Sequence, residues 1–289
     1  MKTKKKGLII LSVIIAAAAI IIALFSQPVR TGIGNLGVNG FTGRDLQNVD
    51  DIILLSHCIE VEGSTNSVAG VKEAVRLGAD GVCVDLCFRT DGTPVMSDDY
   101  NTVDTSPAVE ELFKAMNDEK YSDVRIYLNI VQLSDMSELN RLAVEYNMVS
   151  RLILIGIDSA HYGMITNDDT IIPFYITVDI DSSTASAIDS GEFKVPEELS
   201  LYGAAGIVIN RTDCSDKLMQ AFADYGVPVI VTDIENGSQL CSALLDNART
   251  VFVRDIKNSS MILSGWISNM QERYESSVEQ SLKELSTSA

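Results

Sequence analysis

Eight short runs rich in β-branched residues alternate with helical segments along this chain, and this rhythm limits the possible folds. Runs of this length separated by helices predict parallel strands that are buried on both faces. In Ser67–Leu77, for example, apolar residues recur at steps of three and four, and Gly78 follows as a helix-ending residue. Eight such repeats favour a (β/α)8 TIM barrel, an α/β fold, over the competing doubly wound sheet. In either fold, functional residues should lie at the carboxyl ends of the strands.

The predicted elements cover most of the sequence after residue 51. The strands are Ile52–Ser56, Gly81–Cys87, Arg125–Val131, Leu152–Ile157, Ile172–Val178, Gly206–Asn210, Pro228–Thr232 and Thr250–Arg254. The further helices are Ala108–Asn117, Ser134–Tyr146, Ser215–Tyr225, Gly237–Asp246 and a polar stretch from about Ser260.

An apolar segment, Gly7–Phe25, precedes the barrel sequence and contains no charged residue. As a helix it would cross most of the hydrocarbon core of a bilayer, at about 1.5 Å per residue. Four of the first six residues are lysines, which favours a cytoplasmic N-terminus. A cleavable signal peptide is the rival, but Leu24 and Phe25 provide no small-x-small cleavage site. We expect a cytoplasmic basic tail (1–6), a single-pass transmembrane anchor in the cell membrane (7–25), a linker (26–46) and an extracytoplasmic barrel (47–289).

Composition excludes several classes of partner and of fold. The formal net charge is −18, and a chain this acidic repels phosphate backbones, so nucleic acid is not an expected partner. A hydrophobic content of 46% supports a buried core and excludes general disorder. Five cysteines are too few and too scattered for a disulfide scaffold. The barrel should therefore be held together by apolar burial.

One block, Leu54–Asp99, carries a specific pattern. It contains His57 at a strand end, Asn66 at a helix start, Gly78-Ala79-Asp80-Gly81 before the second strand, and Asp91-Gly92 with Pro94-Val95 beyond it. In order and spacing this block resembles the signature of the glycerophosphodiester phosphodiesterases, and weaker agreement continues through the rest of the barrel. The resemblance implies a barrel of the phospholipase C-like phosphodiesterase type. It also implies a phosphoric diester hydrolase that acts on glycerophosphodiesters in lipid metabolism.

The resemblance assigns roles to residues at the strand ends. In the family, two histidines supply acid/base chemistry, an arginine holds the phosphate and carboxylates bind Ca2+ or Mg2+. Here the first histidine is His57, but Cys58 occupies the arginine position and Asp98 occupies the position of the second histidine. Cysteine lacks the forked, charged donor that a phosphate requires, and an ionised Asp98 would repel an anionic substrate.

The implied metal shell is reduced in the same way. Of its four carboxylate positions only Asp85 retains a carboxylate, and a hard cation requires several oxygen ligands. Glu60 and Glu62, in the loop after the first strand, are possible replacements together with Asp98 and Asp99, although a solvated acidic loop is the simpler interpretation. The other three carboxylate positions hold Thr65, Cys83 and Val131, and Leu133 stands where the family's lysine is expected.

Strand alternation places Asp85 on the barrel-interior face together with Cys83 and Cys87. We interpret the two cysteines as small apolar residues of the core. A soft-metal site around His57 and Cys58, or a disulfide between Cys58 and Cys83, is left open. His57 itself is either a general base or a structural residue.

These substitutions predict a pseudoenzyme that uses its barrel mouth as a binding module for a ligand or a protein partner. No cofactor is then expected. A small polar or cationic ligand would suit the acidic rim. The alternative is a divergent phosphodiesterase that requires Ca2+ or Mg2+.

Overall fold

The computed structural model describes residues 52–166 and 169–287. The predicted tail, anchor and linker (residues 1–46) lie outside the described residues. Within the described part, no helix combines the length and the apolar character needed to cross a bilayer. The barrel belongs to a compact unit that ends at Ser260, and the rest of the last helix, from Met261, belongs to a second unit.

The described residues form a regular alternation of strands and helices. The strands are β1 (Ile53–His57), β2 (Gly81–Phe88), β3 (Pro94–Met96), β4 (Arg125–Ile130), β5 (Leu152–Ile157), β6 (Phe174–Thr177), β7 (Gly206–Asn210), β8 (Val229–Ile234) and β9 (Thr250–Val253). The helices are α1 (Val68–Arg76), α2 (Val109–Met116), α3 (Ser137–Glu145), α4 (Ser182–Ser190), α5 (Glu197–Tyr202), α6 (Asp216–Asp224), α7 (Gly237–Leu245) and α8 (Ile256–Thr287).

Eight parallel strands close into a barrel, as predicted. The order around the sheet is β1-β9-β8-β7-β6-β5-β4-β2, and β1 also pairs with β2. Closure occurs at β1, where Leu55 pairs with Phe252 of β9 and His57 pairs with Cys83 of β2. This closure excludes the doubly wound sheet, in which the two edge strands would remain unpaired. β3 is an addition that the sequence did not predict, and it pairs antiparallel with the end of β2.

Alternate residues of the strands fill the barrel interior. Each strand turns every second side chain inward, so the core receives one or two residues per strand. Cys83 belongs to this core, and burial raises the pKa of its thiol well above the usual value. Cys87 lies in a smaller cluster with Val95 and Val103. Both cysteines are therefore apolar fillers, as predicted. The interior cluster consists of Leu55, Cys83, Tyr127, Ile155, Val208, Ile230 and Phe252.

Helix α1 shows how the sequence sets the helix boundaries. The Ser67 side chain accepts a hydrogen bond from the backbone N–H of Gly70 and caps the first turn. Val71 and Ala74 are buried on its inner face. The chain leaves the helix through Gly78, whose φ of +101° lies in the left-handed region. The predicted boundaries of this helix are confirmed.

Candidate functional site

His57 ends β1 and stands at the mouth formed by the carboxyl ends of the strands. The centroid of its imidazole lies 4.4 Å from that of the Phe252 ring, with the ring planes tilted by 55°. The residue reaches solvent, but protein atoms surround the ring, and this desolvation lowers the pKa of His57 from its ordinary value of 6.5. The charges of Asp85 and Asp233 oppose the shift. The pKa of His57 is therefore lowered by burial even though two carboxylates act on it.

Two asparagine amides fix the carboxylate of Asp85. Asn66 Nδ2 donates to Asp85 Oδ2 at 2.9 Å, and Asn129 Nδ2 donates to Asp85 Oδ1 at 2.6 Å. The backbone N–H of Asp85 donates in turn to Asn66 Oδ1 at 2.8 Å, which sets the orientation of that amide. Asn66 is buried, with a φ of +50°. Asp85 is thus oriented at the mouth, as a functional carboxylate would be.

The thiol of Cys58, at the family's arginine position, is hydrogen-bonded to the backbone at the start of α1. Its Sγ lies 3.3 Å from the backbone N of Ser67, which donates to it, and 3.3 Å from the Ser67 carbonyl oxygen. Burial raises the pKa of this thiol. Cys83 turns into the barrel core, and both cysteines are free thiols. The disulfide between them that the sequence left open is not formed.

The remaining acidic residues proposed from the sequence point to solvent. Asp98 is exposed, and the carboxylate of Asp99 caps the short turn that follows by accepting from the backbone N–H of Asn101 at 2.8 Å. Glu60 is exposed as well. Glu62 is exposed at the tip of a tight turn closed by two hydrogen bonds between Val61 and Ser64, with a φ of +54°. The loop after β1 therefore turns back on itself.

Two side chains near the ends of β7 and β8 were not predicted as site residues from the sequence. Asp233 has a φ of +60° at an irregularity in the pairing of β8 with β9, and its carboxylate accepts a hydrogen bond from Asn210 Nδ2. The charge of Asp233 acts on His57, so it belongs to the mouth. Only the barrel geometry reveals this, because Asp233 and His57 are far apart in sequence.

Three arginines follow strand ends, and protein groups engage all of them. Arg89 donates to the carbonyl oxygens of Val103 and Ser106 at 3.1 and 2.7 Å. Arg211 donates to the carboxylate of Asp246 at 2.9 Å. Arg254 lies 2.6 Å from the carboxylate of Glu235 on the exposed rim. None of the three replaces the phosphate-binding arginine.

The edge of the mouth formed by β4 and β5 is apolar. Val131 and Leu133 occupy the positions of the family's carboxylate and lysine, and both line a small cleft together with His161. His161 was not predicted as a site residue and lies in the loop after β5. Its Nδ1 is 2.6 Å from the carboxylate of Asp158. No sequence motif marks this histidine, so only its position in the fold makes it a candidate site residue.

The residues present do not fit the family's divalent-cation site. Within the described ranges, no three side chains of the His, Cys, Asp or Glu type come together as metal ligands. Glu60 and Glu62 are therefore not gathered around Asp85, and no soft-metal site forms around His57 and Cys58. One oriented carboxylate remains where several oxygen ligands are required.

Comparison with solved structures identifies the fold. No family model and no curated protein matches the sequence. A glycerophosphodiester phosphodiesterase from Agrobacterium tumefaciens superposes with a TM-score of 0.56 at 12% identity, over 74% of this chain and 99% of that one. The glycerophosphoryl diester phosphodiesterase domain of a Mycobacterium tuberculosis protein gives 0.55 at 13%, over 78% and 100%. An enzyme from Parabacteroides distasonis gives 0.53 at 14%, over 77% and 98%.

The barrel has the glycerophosphodiester phosphodiesterase fold. The resemblance found in the sequence is confirmed at this level, and the superposition extends over nearly the whole length of those proteins. At identities this low, the superposition establishes only the architecture of the barrel. The chemistry has to be argued from the residues of this chain. In this glycerophosphodiester phosphodiesterase-like barrel the mouth holds His57, Asp85 and Asp233 on one side and aliphatic side chains on the other.

We expect His57 to titrate below 6.5, because desolvation disfavours the imidazolium form in the folded protein. The unfolded chain then binds this proton more tightly, so the histidine's contribution to stability is complete above pH 6.5 and is lost as the pH falls through the folded pKa. Asp233→Asn should lower the pKa of His57 further, since it removes a charge that favours the imidazolium. NMR titration of the imidazole measures both shifts.

The matched control for this titration is Asp158→Asn. It removes the carboxylate beside the other histidine, His161, and should leave His57 unchanged. A pKa of His57 above 6.5, or equal effects of the two substitutions, would contradict the arrangement.

Proposed function

We propose that this chain is a non-catalytic binding module with the glycerophosphodiester phosphodiesterase fold, which presents its mouth to a ligand outside the cytoplasm. The proposal includes the membrane anchor at residues 7–25, with the N-terminus in the cytoplasm. The non-catalytic part of the proposal follows from the chemistry of the mouth, which lacks the groups that hydrolysis of an anionic diester needs. Attack at phosphorus requires cationic or metal charge at the phosphate oxygens and a proton donor at the leaving group.

One observation carries the proposal. At the position that clamps phosphate in the family stands a neutral thiol, Cys58, whose hydrogen bonds go to the backbone of Ser67. The position therefore offers neither a charge nor a donor to a phosphate group. Asp98 agrees with this, because a carboxylate at the position of the second histidine offers no positive charge to a phosphate group. Losses of parts that act as a unit do not compensate for one another.

A second candidate function is a divergent metal-dependent phosphodiesterase. It is favoured by one specific observation: His57 and the oriented Asp85 share the mouth and interact electrostatically. In that case Ca2+ or Mg2+ would be recruited by oxygen ligands that the described residues do not gather. The two candidates differ in whether the protein turns over a phosphodiester.

We expect no turnover of glycerophosphocholine or of a chromogenic phosphodiester by the full-length chain in neutral detergent. The rate should equal that of the buffer with millimolar Ca2+ or Mg2+, because the mouth lacks a phosphate clamp. His57→Ala should therefore leave the background unchanged. The Agrobacterium tumefaciens glycerophosphodiester phosphodiesterase, measured in the same detergent, serves as the positive control. A metal-dependent rate that disappears in His57→Ala would establish the second candidate.

A further inference from the structure

A small cleft opens between the carboxyl ends of β4 and β5. Gly156 near the end of β5 has a φ of +83°, and the pairing of β5 with β6 shifts register around it. The cleft is small and partly open to solvent. Val131 is 44% exposed there, which is unusual for an aliphatic residue at a strand end. The walls are formed by Ile130, Val131, Leu133, Ile157 and Ile165, with His161 at the rim.

The cleft adjoins the oriented carboxylate of Asp85. Asn129 forms the boundary between them, because its Nδ2 donates to Asp85 while its Oδ1 lies against Gly156. A side chain at position 156 would collide with Asn129. Because glycine has no side chain, the Asp85 carboxylate and the aliphatic walls of the cleft can lie next to each other. The mouth therefore has a charged part, formed by Asp85 and Asp233, and an adjacent apolar part, formed by the cleft.

The charged part presents hydrogen-bond acceptors. The side-chain N–H groups of Asn66, Asn129 and Asn210 are already directed at the carboxylates of Asp85 and Asp233. Each carboxylate oxygen can accept more than one hydrogen bond, so both carboxylates keep free acceptor capacity. The three arginines that follow strand ends are engaged elsewhere, as described above. A ligand at this mouth would meet negative charge with spare acceptors.

We propose that the mouth and the cleft together bind a small aliphatic ammonium ion, with its charged head at Asp85 and its alkyl part against Val131 and Leu133. This reverses the charge preference of the phosphodiesterases, whose substrates are anions. The inference rests on the proposed function, because a protein that hydrolyses anionic diesters would need the opposite field. Aliphatic walls beside a carboxylate select an amine with a hydrocarbon body over a bare cation.

The test uses the full-length chain in neutral detergent with n-butylammonium chloride as the probe and sodium butyrate as its charge-reversed control, at constant ionic strength. Binding is followed by chemical-shift changes of valine, leucine and isoleucine methyl groups. We expect saturable shifts at Val131 and Leu133 with butylammonium and none with butyrate. Val131→Lys should weaken butylammonium binding by at least about tenfold, because it places a like charge in the cleft.

Val144→Lys is the matched control, since Val144 is also an exposed valine (62%) but lies on α3. It should leave the affinity unchanged. Stronger binding of butyrate than of butylammonium, or equal effects of the two lysine substitutions, would overturn the inference. The measurement is independent of turnover: a hydrolytic rate defeats the proposed function, whereas absent butylammonium binding defeats only the ligand class.

Discussion

Replacing Gly156 by alanine is expected to lower the free energy of unfolding by about 2–4 kcal/mol. Two physical effects add at this position. The left-handed backbone, with a φ of +83°, is costly for any residue with a Cβ atom. The new methyl group would also lie 3.0 Å from the backbone N and O of Ile130, and closer still to Asn129 Oδ1. Chemical denaturation of the variant and the parent measures the difference.

Gly191→Ala separates the two effects. Gly191 ends α4 with a φ of +74°, but an added Cβ would meet no atom within 4 Å. This control should lose only the backbone contribution, about 1–2 kcal/mol. If the two variants lose equal stability, the close contact between Gly156 and Asn129 does not matter. If Gly156→Ala alone also shifts the NMR signals of the Asn129 side chain, the contact is where the structure places it.

Replacing Phe252 by alanine should cost about 3–5 kcal/mol, the largest effect that we expect from a single substitution in this barrel. Phe252 is only 5% exposed and belongs to the interior cluster with Leu55 and Tyr127. Removing its ring leaves a cavity directly beneath His57. Water entering that space would reduce the desolvation of the imidazole, so the pKa of His57 should rise toward 6.5.

The comparison variant is Phe193→Ala. Phe193 is half-buried and packs edge-on against Phe222 at 5.2 Å between ring centroids, so its removal should cost roughly half as much. It should also leave the titration of His57 unchanged. If both alanine substitutions lowered the free energy of unfolding by similar amounts, packing in the barrel interior would not be the dominant contribution to stability. An unchanged pKa of His57 in Phe252→Ala would show that other atoms desolvate the ring.

The strands of the barrel could be predicted from the sequence because strands buried on both faces must be apolar along their length. All eight predicted runs contain the observed barrel strands, apart from end residues. Helix α4 escaped prediction because Ser182–Ser190 is rich in serine and alanine, with little contrast between its faces. β3 escaped because only pairing with β2 makes Pro94–Met96 a strand. The last helix begins at Ile256, earlier than the expected Ser260.

The candidate site was predicted only where a local motif marks it. His57 and Asp85 stand in the block that carries the resemblance, so their positions at strand ends followed directly. The partners of Asp85 are 19 and 44 residues away in sequence, and nothing in the local pattern pairs them. Asp233 and His161 lack any motif, and the barrel alone brings the first to His57 and the second to the apolar cleft. The membrane anchor remains a prediction.

The pairing of β1 with β9 has a consequence for how the chain reaches its native state. The first and last strands of the barrel are hydrogen-bonded to each other, although nearly all of the domain's sequence separates them. Until β9 is available, β1 and β8 are unprotected edges that can recruit strands from other molecules. Contacts this distant in sequence also form slowly. A nascent or truncated chain without its last strand should therefore be prone to aggregation.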